Sequence, residues 1–107
     1  MTVFVWLILG HLVADYALQT DFIAKFKSRK MSLASVPWYY VMLGHVGTHA
    51  AAVGFVTLSP FLALVELVCH FAIDVAKCEG TTTIHEDQAL HVGCKALWAI
   101  FFAYGFC

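Results

Sequence analysis

The sequence has little charge. Of its 107 residues only 12% are Asp, Glu, Lys or Arg, and 62% are hydrophobic, whereas an ordinary soluble domain carries about 25% charged residues. A chain this short has no large core in which to bury so many apolar groups. The formal net charge is −1, so we expect no bulk attraction to nucleic acid. These properties exclude an ordinary soluble enzyme, a disordered tail and a nucleic-acid partner, and they predict one membrane domain, residues 1–107.

Two other signals are missing. The four cysteines show neither CxxC spacing nor a zinc-finger pattern, so we expect small buried hydrophobes and no disulfide framework. The start of the chain lacks the basic segment and the small-residue cleavage site of a signal peptide. We therefore interpret the first apolar run as a retained membrane span.

Four apolar stretches approach the length of about 20 residues that a transmembrane helix needs. They cover residues 2–20, 36–58, 60–77 and 86–106. Ser35 as N-cap and Pro37 in the first turn favour a helix start there, and Ser59-Pro60 separates the second stretch from the third. Short connections make consecutive helices antiparallel neighbours. The sequence thus predicts an all-α polytopic membrane protein, a four-transmembrane-helix antiparallel bundle.

The basic residues predict an orientation. Four of them lie between the first two stretches: Lys25, Lys27, Arg29 and Lys30. We interpret this cluster as a topology signal, which places that loop in the cytoplasm and both termini outside a bacterial inner membrane. The predicted partner is then the lipid bilayer. Small residues from Gly47 to Gly54 would allow close helix packing or a homo-oligomer.

Each apolar stretch is interrupted by a histidine that stands four residues from an Asp or another histidine. In order the pairs are His11–Asp15, His45–His49, His70–Asp74 and Asp87–His91. This spacing places both side chains on one helix face, about 6 Å apart along the axis. Helix bundles build metal sites from such inward-facing side chains. An aspartate inside a membrane helix costs on the order of 2.5–3.5 kcal/mol, and a divalent metal, which returns roughly 10–16 kcal/mol, would offset several of them.

The residue types suggest the metal and the roles. Mixed imidazole and carboxylate ligands suit zinc, with iron or manganese as alternatives, and their number predicts up to two ions. The predicted ligands are His11, Asp15, His45, His49, His70, Asp74 and His91. Asp87 is predicted to orient a histidine or to act as the general base for metal-bound water. Supporting or substrate-binding roles are assigned to Gln19, Glu66, Lys77, Gln88 and Lys95, of which the two lysines could hold a phosphate.

The blocks that contain these residues are characteristic as a set. In order they read GHLVADYALQT, LGHVGTH, HFAIDVAK and DQALH. They resemble a family of uncharacterised bacterial and phage membrane proteins, domain of unknown function 3307, over essentially the whole chain. More distantly, the pattern is similar to inner-membrane metal-dependent hydrolases and to helical zinc-dependent phospholipases, whose ligands come as HxxxH and HxxxD pairs. The resemblance implies that His45 with His49, and His70 with Asp74, are metal ligands.

Three functions fit these observations. The first is a metal-dependent hydrolase that acts on a phospholipid or another phosphoester near the cytoplasmic leaflet. The second is a metal-ion or proton conductor, because His and Asp side chains on neighbouring helices also form relays. The third is a non-catalytic membrane protein of a bacterium or phage, in which a metal only stabilises a small bundle.

Overall fold

Helices make up most of the chain. The computed structural model describes residues 1–31 and 35–105, and those residues contain no β-strand. The α-helices are α1 (Thr2–Leu12), α2 (Asp21–Phe26), α3 (Trp38–Thr57), α4 (Pro60–Cys78) and α5 (Ile84–Ala103). A π-helical turn, Val13–Ala17, continues α1, and a short 3₁₀ helix, Arg29–Met31, follows α2. Cys107 and the end of the fourth predicted stretch, at residue 106, lie outside the described residues.

Hydroxyl side chains determine where three helices begin. Thr20 accepts a hydrogen bond from the backbone N–H of Ile23 at the start of α2. Ser59 caps α4, with Pro60 as its first residue, where the missing proline N–H costs nothing. Thr83 and Glu86 form a reciprocal capping box on α5, which satisfies two backbone donors. The predicted cap at Ser35 is wrong, because α3 begins at Trp38 with Pro37 in the N-cap position.

The three long helices and α1 pack side by side. α3 and α4 are joined through Leu58 and Ser59 and pack against each other along their length, while α1 lies against α3 and α5, and α5 lies against α4. The turn between α3 and α4 is tight because Leu58 adopts a left-handed conformation with φ of 54°. Near it, a Cβ atom on Gly54 would stand 3.1 Å from the Cβ of Ala63. Glycine therefore allows the two backbones to approach closely.

The interior is apolar at one end and polar at the other. Leu7, Val53, Leu62 and Trp98 form a buried apolar cluster that takes one residue from each of the four packed helices. One to two turns away along each helix, the buried side chains become histidines and carboxylates. Many large apolar side chains are instead exposed. Only some of the hydrophobic residues of this sequence therefore lie in the core.

The predicted membrane architecture is contradicted by the structure. None of the helices within residues 1–31 and 35–105 combines the length and the apolar character that crossing a membrane requires. In place of a first span over residues 2–20, α1 ends at Leu12 after 11 residues, which corresponds to roughly 16 Å. α4 contains Glu66, Asp74 and Lys77 within its 19 residues.

Charged side chains also interrupt α5, which contains Glu86, Asp87 and Lys95. The polar residues of α3 include two histidines. We therefore correct two predictions, the four-transmembrane-helix bundle and the multi-pass inner-membrane location with both termini outside. What the structure retains of the predicted fold class is its all-helical character over the described residues.

Candidate metal centre

A cluster of five histidines and three aspartates lies at the polar end of the interior; we call it the His/Asp centre. Its members are His11, Asp15, His45, His49, His70, Asp74, Asp87 and His91, and all except Asp15 are at most 3% exposed. They come from α1, the π-turn, α3, α4 and α5. All eight residues that the sequence singled out as ligands or general base are therefore brought together.

The helix register explains the cluster. On α4 the positions Leu62, Glu66, His70 and Asp74 are buried in steps of four residues, which keeps them on one face of the helix. On α1 the same step leads from Leu7 to His11. Each of these faces begins in the apolar cluster and ends in the His/Asp centre.

Asp15 reaches the centre from an unusual backbone. The π-turn is closed by a hydrogen bond of 3.0 Å from the N–H of Leu18 to the carbonyl of Val13, five residues earlier. Single π-turns are rare and often occur at functional sites. Here the turn places Asp15 3.4 Å from His11 Nε2 and 2.9 Å from His49 Nε2. The side chain of Asp15 is 12% exposed, which makes it the most accessible member of the centre.

Four residues form the best-organised set of donors. One ligand atom each of Asp15, His45, His49 and His70 lies within 4.8 Å of the others. Asp15 Oδ1 is 2.9 Å from His49 Nε2 and 3.5 Å from His45 Nε2. Zinc–nitrogen bonds of about 2.0–2.1 Å place the donors of a tetrahedral site roughly 3.3–3.4 Å apart. These two separations lie on either side of that value, which is compatible with a small divalent ion between the donors.

A second group of donors surrounds Asp74. His91 Nε2 is 3.1 Å from Asp74 Oδ1 and 3.5 Å from Asp87 Oδ1, and one ligand atom of each of these three residues lies within 4.8 Å of the others. The other oxygen of Asp74 lies 3.0 Å from His45 Nε2 and 3.7 Å from His70 Nε2. Asp74 therefore links the two groups.

Glu66 lies behind His70 and orients it. Its Oε1 is 2.9 Å from His70 Nδ1 and accepts a hydrogen bond of 2.6 Å from Lys95 Nζ, while its Oε2 accepts one of 2.5 Å from Trp98 Nε1. Because the carboxylate can only accept, Nδ1 of His70 carries the proton and Nε2 presents its lone pair to the centre. A carboxylate behind a histidine is the usual arrangement around metal-binding imidazoles.

Two partly exposed glutamines and the largely buried Lys27 lie at the edge of the centre that is nearest the solvent. Gln88 Nε2 donates to Asp87 and to Asp15, at 3.0 and 3.3 Å. Gln19 Nε2 donates to the backbone carbonyl of Asp15. Lys27 Nζ donates to Gln19 Oε1 and to Asp74 Oδ2, both at 2.8 Å. These three side chains therefore hydrogen-bond to Asp15, Asp74 and Asp87 on the side of the centre that is nearest the solvent.

The two lysines assigned to a phosphate lie elsewhere. Lys95 is 1% exposed and is bonded to Glu66, on the apolar side of His70. Lys77 is partly exposed on α4, and the described residues show no hydrogen bond or ion pair between it and the His/Asp centre. The lysine that does reach the centre is Lys27.

Burial and hydrogen bonding shift the pKa values in opposite directions. Burial lowers the pKa of His49 to about 3, and it also lowers the pKa values of His11 and His70. For His91, burial is outweighed by its hydrogen bond to Asp74 and by the nearby carboxylate of Asp87, which raise its pKa to about 9. Most of these imidazoles are thus neutral near pH 7, which is the state that binds metal.

Asp15 and Asp74 remain ionised. Burial would raise the pKa of Asp15, but the hydrogen bond from His49 and the neighbouring charges lower it well below its usual value. Similarly, burial at Asp74 is outweighed by the close approach of His45, His91 and Lys27, so its pKa is also lowered. The centre therefore presents negatively charged oxygen donors.

The charges and the unpartnered atoms of the centre both fit a bound cation. Four buried or nearly buried carboxylates face three cationic groups, which leaves negative charge in excess: Asp15, Glu66, Asp74 and Asp87 against Lys27, Lys95 and the imidazolium of His91. Five polar atoms of the centre are buried without a hydrogen-bond partner: His11 Nδ1, His49 Nδ1, His70 Nε2, Asp87 Oδ1 and His91 Nδ1. An unpartnered buried group costs about 1–3 kcal/mol. A divalent ion would offset the charge and bind some of these atoms, so the residues fit a metal.

Sequence reasoning missed Lys27 and Trp98. Lys27 stands in the basic cluster that was interpreted as a topology signal, and nothing in that cluster distinguishes it from its neighbours. Trp98 could have been predicted from the sequence. Asp87, His91, Lys95 and Trp98 follow each other in steps of four, four and three residues. That spacing is typical of one helix face.

The comparisons establish the family. The chain belongs to the family described as "Protein of unknown function (DUF3307)", whose model matches residues 3–104. This confirms that the chain is a member of an uncharacterised domain family. Comparison with curated proteins and with solved structures gave no significant match.

Proposed function

We propose that this protein binds a divalent transition metal, most naturally zinc, in the His/Asp centre and uses it for hydrolysis. The observation that carries the proposal is the convergence of Asp15, His45, His49 and His70, with one donor atom each within 4.8 Å of the others. Three imidazoles and one carboxylate suit zinc, and also iron or manganese. A bound ion of this kind would polarise a substrate oxygen as a Lewis acid.

The protein side chains supply the other parts of a hydrolytic site. Asp87 is 2% exposed and its Oδ1 has no hydrogen-bond partner, so that oxygen is free to accept a proton from water. Gln88 donates to Asp87 Oδ2 and keeps the carboxylate oriented. Asp15, at the accessible edge, marks the side from which a substrate would approach.

A phosphoester is the proposed substrate class. The HxxxH pair His45/His49 and the HxxxD pair His70/Asp74 are similar to the ligand pairs of helical zinc-dependent phospholipases, which supports this choice. The basic side chains Lys25 and Lys30 are exposed on either side of Lys27, and they would attract an anionic substrate.

Metal content is the first test. We expect the purified protein to contain stoichiometric zinc, iron or manganese by elemental analysis and to lose it in His45→Ala/His49→Ala. His85→Ala is the matched control, because His85 is exposed on α5 and should not change metal content. Folded wild-type protein that neither contains metal nor takes up added zinc would overturn the proposal.

Turnover is the second test. We expect hydrolysis of bis(p-nitrophenyl) phosphate, or of phosphoesters from a broader panel, to stop after chelation and to return with added metal. Asp87→Asn should keep the metal and lose turnover. Stoichiometric metal without turnover of any phosphoester would instead support a structural metal. An activity that is insensitive to chelation would contradict the hydrolase.

A further inference from the structure

Lys27 is the buried cation that the sequence did not identify as part of the centre. It lies after α2, and its side chain is 11% exposed although it comes from a segment of exposed basic residues. Its Nζ lies 2.8 Å from Asp74 Oδ2 and 2.8 Å from Gln19 Oε1. A lysine is rarely buried to this extent unless it is paired. The pairing partner here is the carboxylate that links the two donor groups.

The charges of the His/Asp centre can be counted around this contact. Glu66 and Lys95 form their own neutral pair behind His70. The remaining buried charges are the carboxylates Asp15, Asp74 and Asp87 and the ammonium of Lys27. With every imidazole of the centre in its neutral, metal-binding form, His91 included, these groups carry two net negative charges, which one divalent ion neutralises. A second divalent ion would leave a net positive charge in a poorly solvated interior, which is unfavourable.

The two donor groups differ in whether they share a carboxylate with Lys27. The set Asp15, His45, His49 and His70 contains no carboxylate that bonds to Lys27, whereas the set Asp74, Asp87 and His91 shares Asp74 with it. A metal ion in the second set would bind a carboxylate whose other oxygen already holds an ammonium group. Like charges so close together repel strongly where water is scarce.

We propose that Lys27 acts as a tethered cation in place of a second metal ion, so that the centre takes one divalent ion and not two. This inference rests on the proposed metal binding. It assigns the ion to the Asp15/His45/His49/His70 set, and it makes Lys27 the residue that determines the metal stoichiometry. The set Asp74/Asp87/His91 is then a latent second site, which opens when the ammonium is removed.

The test is a zinc titration of the full chain that is monitored by calorimetry. Elemental analysis after gel filtration then gives the amount of zinc bound per chain. We expect one zinc per chain in the wild type and two in Lys27→Met. The affinity of the wild type for a second zinc ion should be at least tenfold weaker than that of the variant. Lys27→Arg keeps the positive charge and should bind one. Lys25→Met is the matched control, because Lys25 is exposed on the same segment, and it should also bind one.

The outcomes separate this inference from the proposed function. Wild-type protein that takes up no zinc would overturn both. Two zinc ions in the wild type, or one in a folded Lys27→Met, would overturn only the role of Lys27 and leave the metal centre intact. Should Lys27→Met fail to fold, Lys27→Gln is the second variant, because it removes the charge and keeps a polar group that can hydrogen-bond Asp74. Two zinc ions in the wild type would overturn the inference without any variant.

Discussion

The buried pair of Glu66 and Lys95 allows the sharpest test of the energetics. Both residues are 1% exposed, and their charged atoms are 2.6 Å apart. Removing one partner of a buried pair leaves the other charged and unpaired, which costs about 3–5 kcal/mol. We therefore expect Lys95→Met to destabilise the protein by about 3–5 kcal/mol. The control Lys25→Met, at an exposed position, should change stability by no more than about 0.5 kcal/mol.

The double variant Glu66→Gln/Lys95→Met separates charge from packing. The introduced amide is neutral, so no buried charge is left unpaired. Its oxygen can accept from Trp98 Nε1, and its NH₂ can donate to His70 if the imidazole changes tautomer. The double variant should therefore be more stable than Lys95→Met alone and within about 1–3 kcal/mol of the wild type.

Urea and thermal unfolding of the metal-free protein would measure both effects. For a domain of about this size each kcal/mol shifts Tm by about 4–8 °C, so Lys95→Met should lower Tm by at least about 12 °C. The reasoning is refuted if Lys95→Met costs less than about 1 kcal/mol. It is equally refuted if the double variant is less stable than Lys95→Met, because the loss would then come from packing rather than from an unpaired charge.

Three further predictions concern metal, pH and a helix cap. Zinc at 100 times its Kd should raise the free energy of unfolding by about 2.7 kcal/mol, and an excess of chelator should abolish the gain; a Tm unaffected by zinc would contradict binding to the folded state. In the metal-free protein the pKa of His91 is raised to about 9, so its stabilisation is complete below the unfolded pKa of about 6.5 and is lost as the pH rises through 9. His91→Gln should remove this dependence from urea unfolding between pH 6 and 10, and an unchanged slope would argue against it. Thr83→Ala removes the capping box of α5 and should cost about 1 kcal/mol, whereas Thr83→Ser should cost much less in the same assay; equal losses would assign the effect to packing.

Much of the site could be predicted from sequence because it depends on local geometry. Residues four apart on a helix share a face in any tertiary structure, so the pairs at 11/15, 45/49, 70/74 and 87/91 were recognisable without it. Helix starts at Ser59-Pro60 follow from equally local chemistry. The cap at Thr83 and Glu86 carries the sequence signature of a capping box and could have been predicted in the same way.

The membrane prediction failed because composition does not specify how long each helix is. The apolar run over residues 2–20 reads as one span, but the π-turn at Val13–Ala17 and the new start at Asp21 divide it. The backbone changes there so that Asp15 reaches His49 on another helix. Hydropathy contains no information about that contact.

The sequence by itself determined an all-helical chain, a histidine or carboxylate on one face of each long helix, and membership of a family. Only the tertiary structure decided which of these faces meet. The order of the contacting side chains through the interior, from Trp98 through Glu66 and His70 to Asp74, was also set there. The tertiary structure also decided that Lys27, one of four similar basic residues in the sequence, is the one that enters the centre. The reason is physical: a helix face is set by neighbours three and four residues away, whereas the contact between Lys27 and Asp74 joins residues 47 apart.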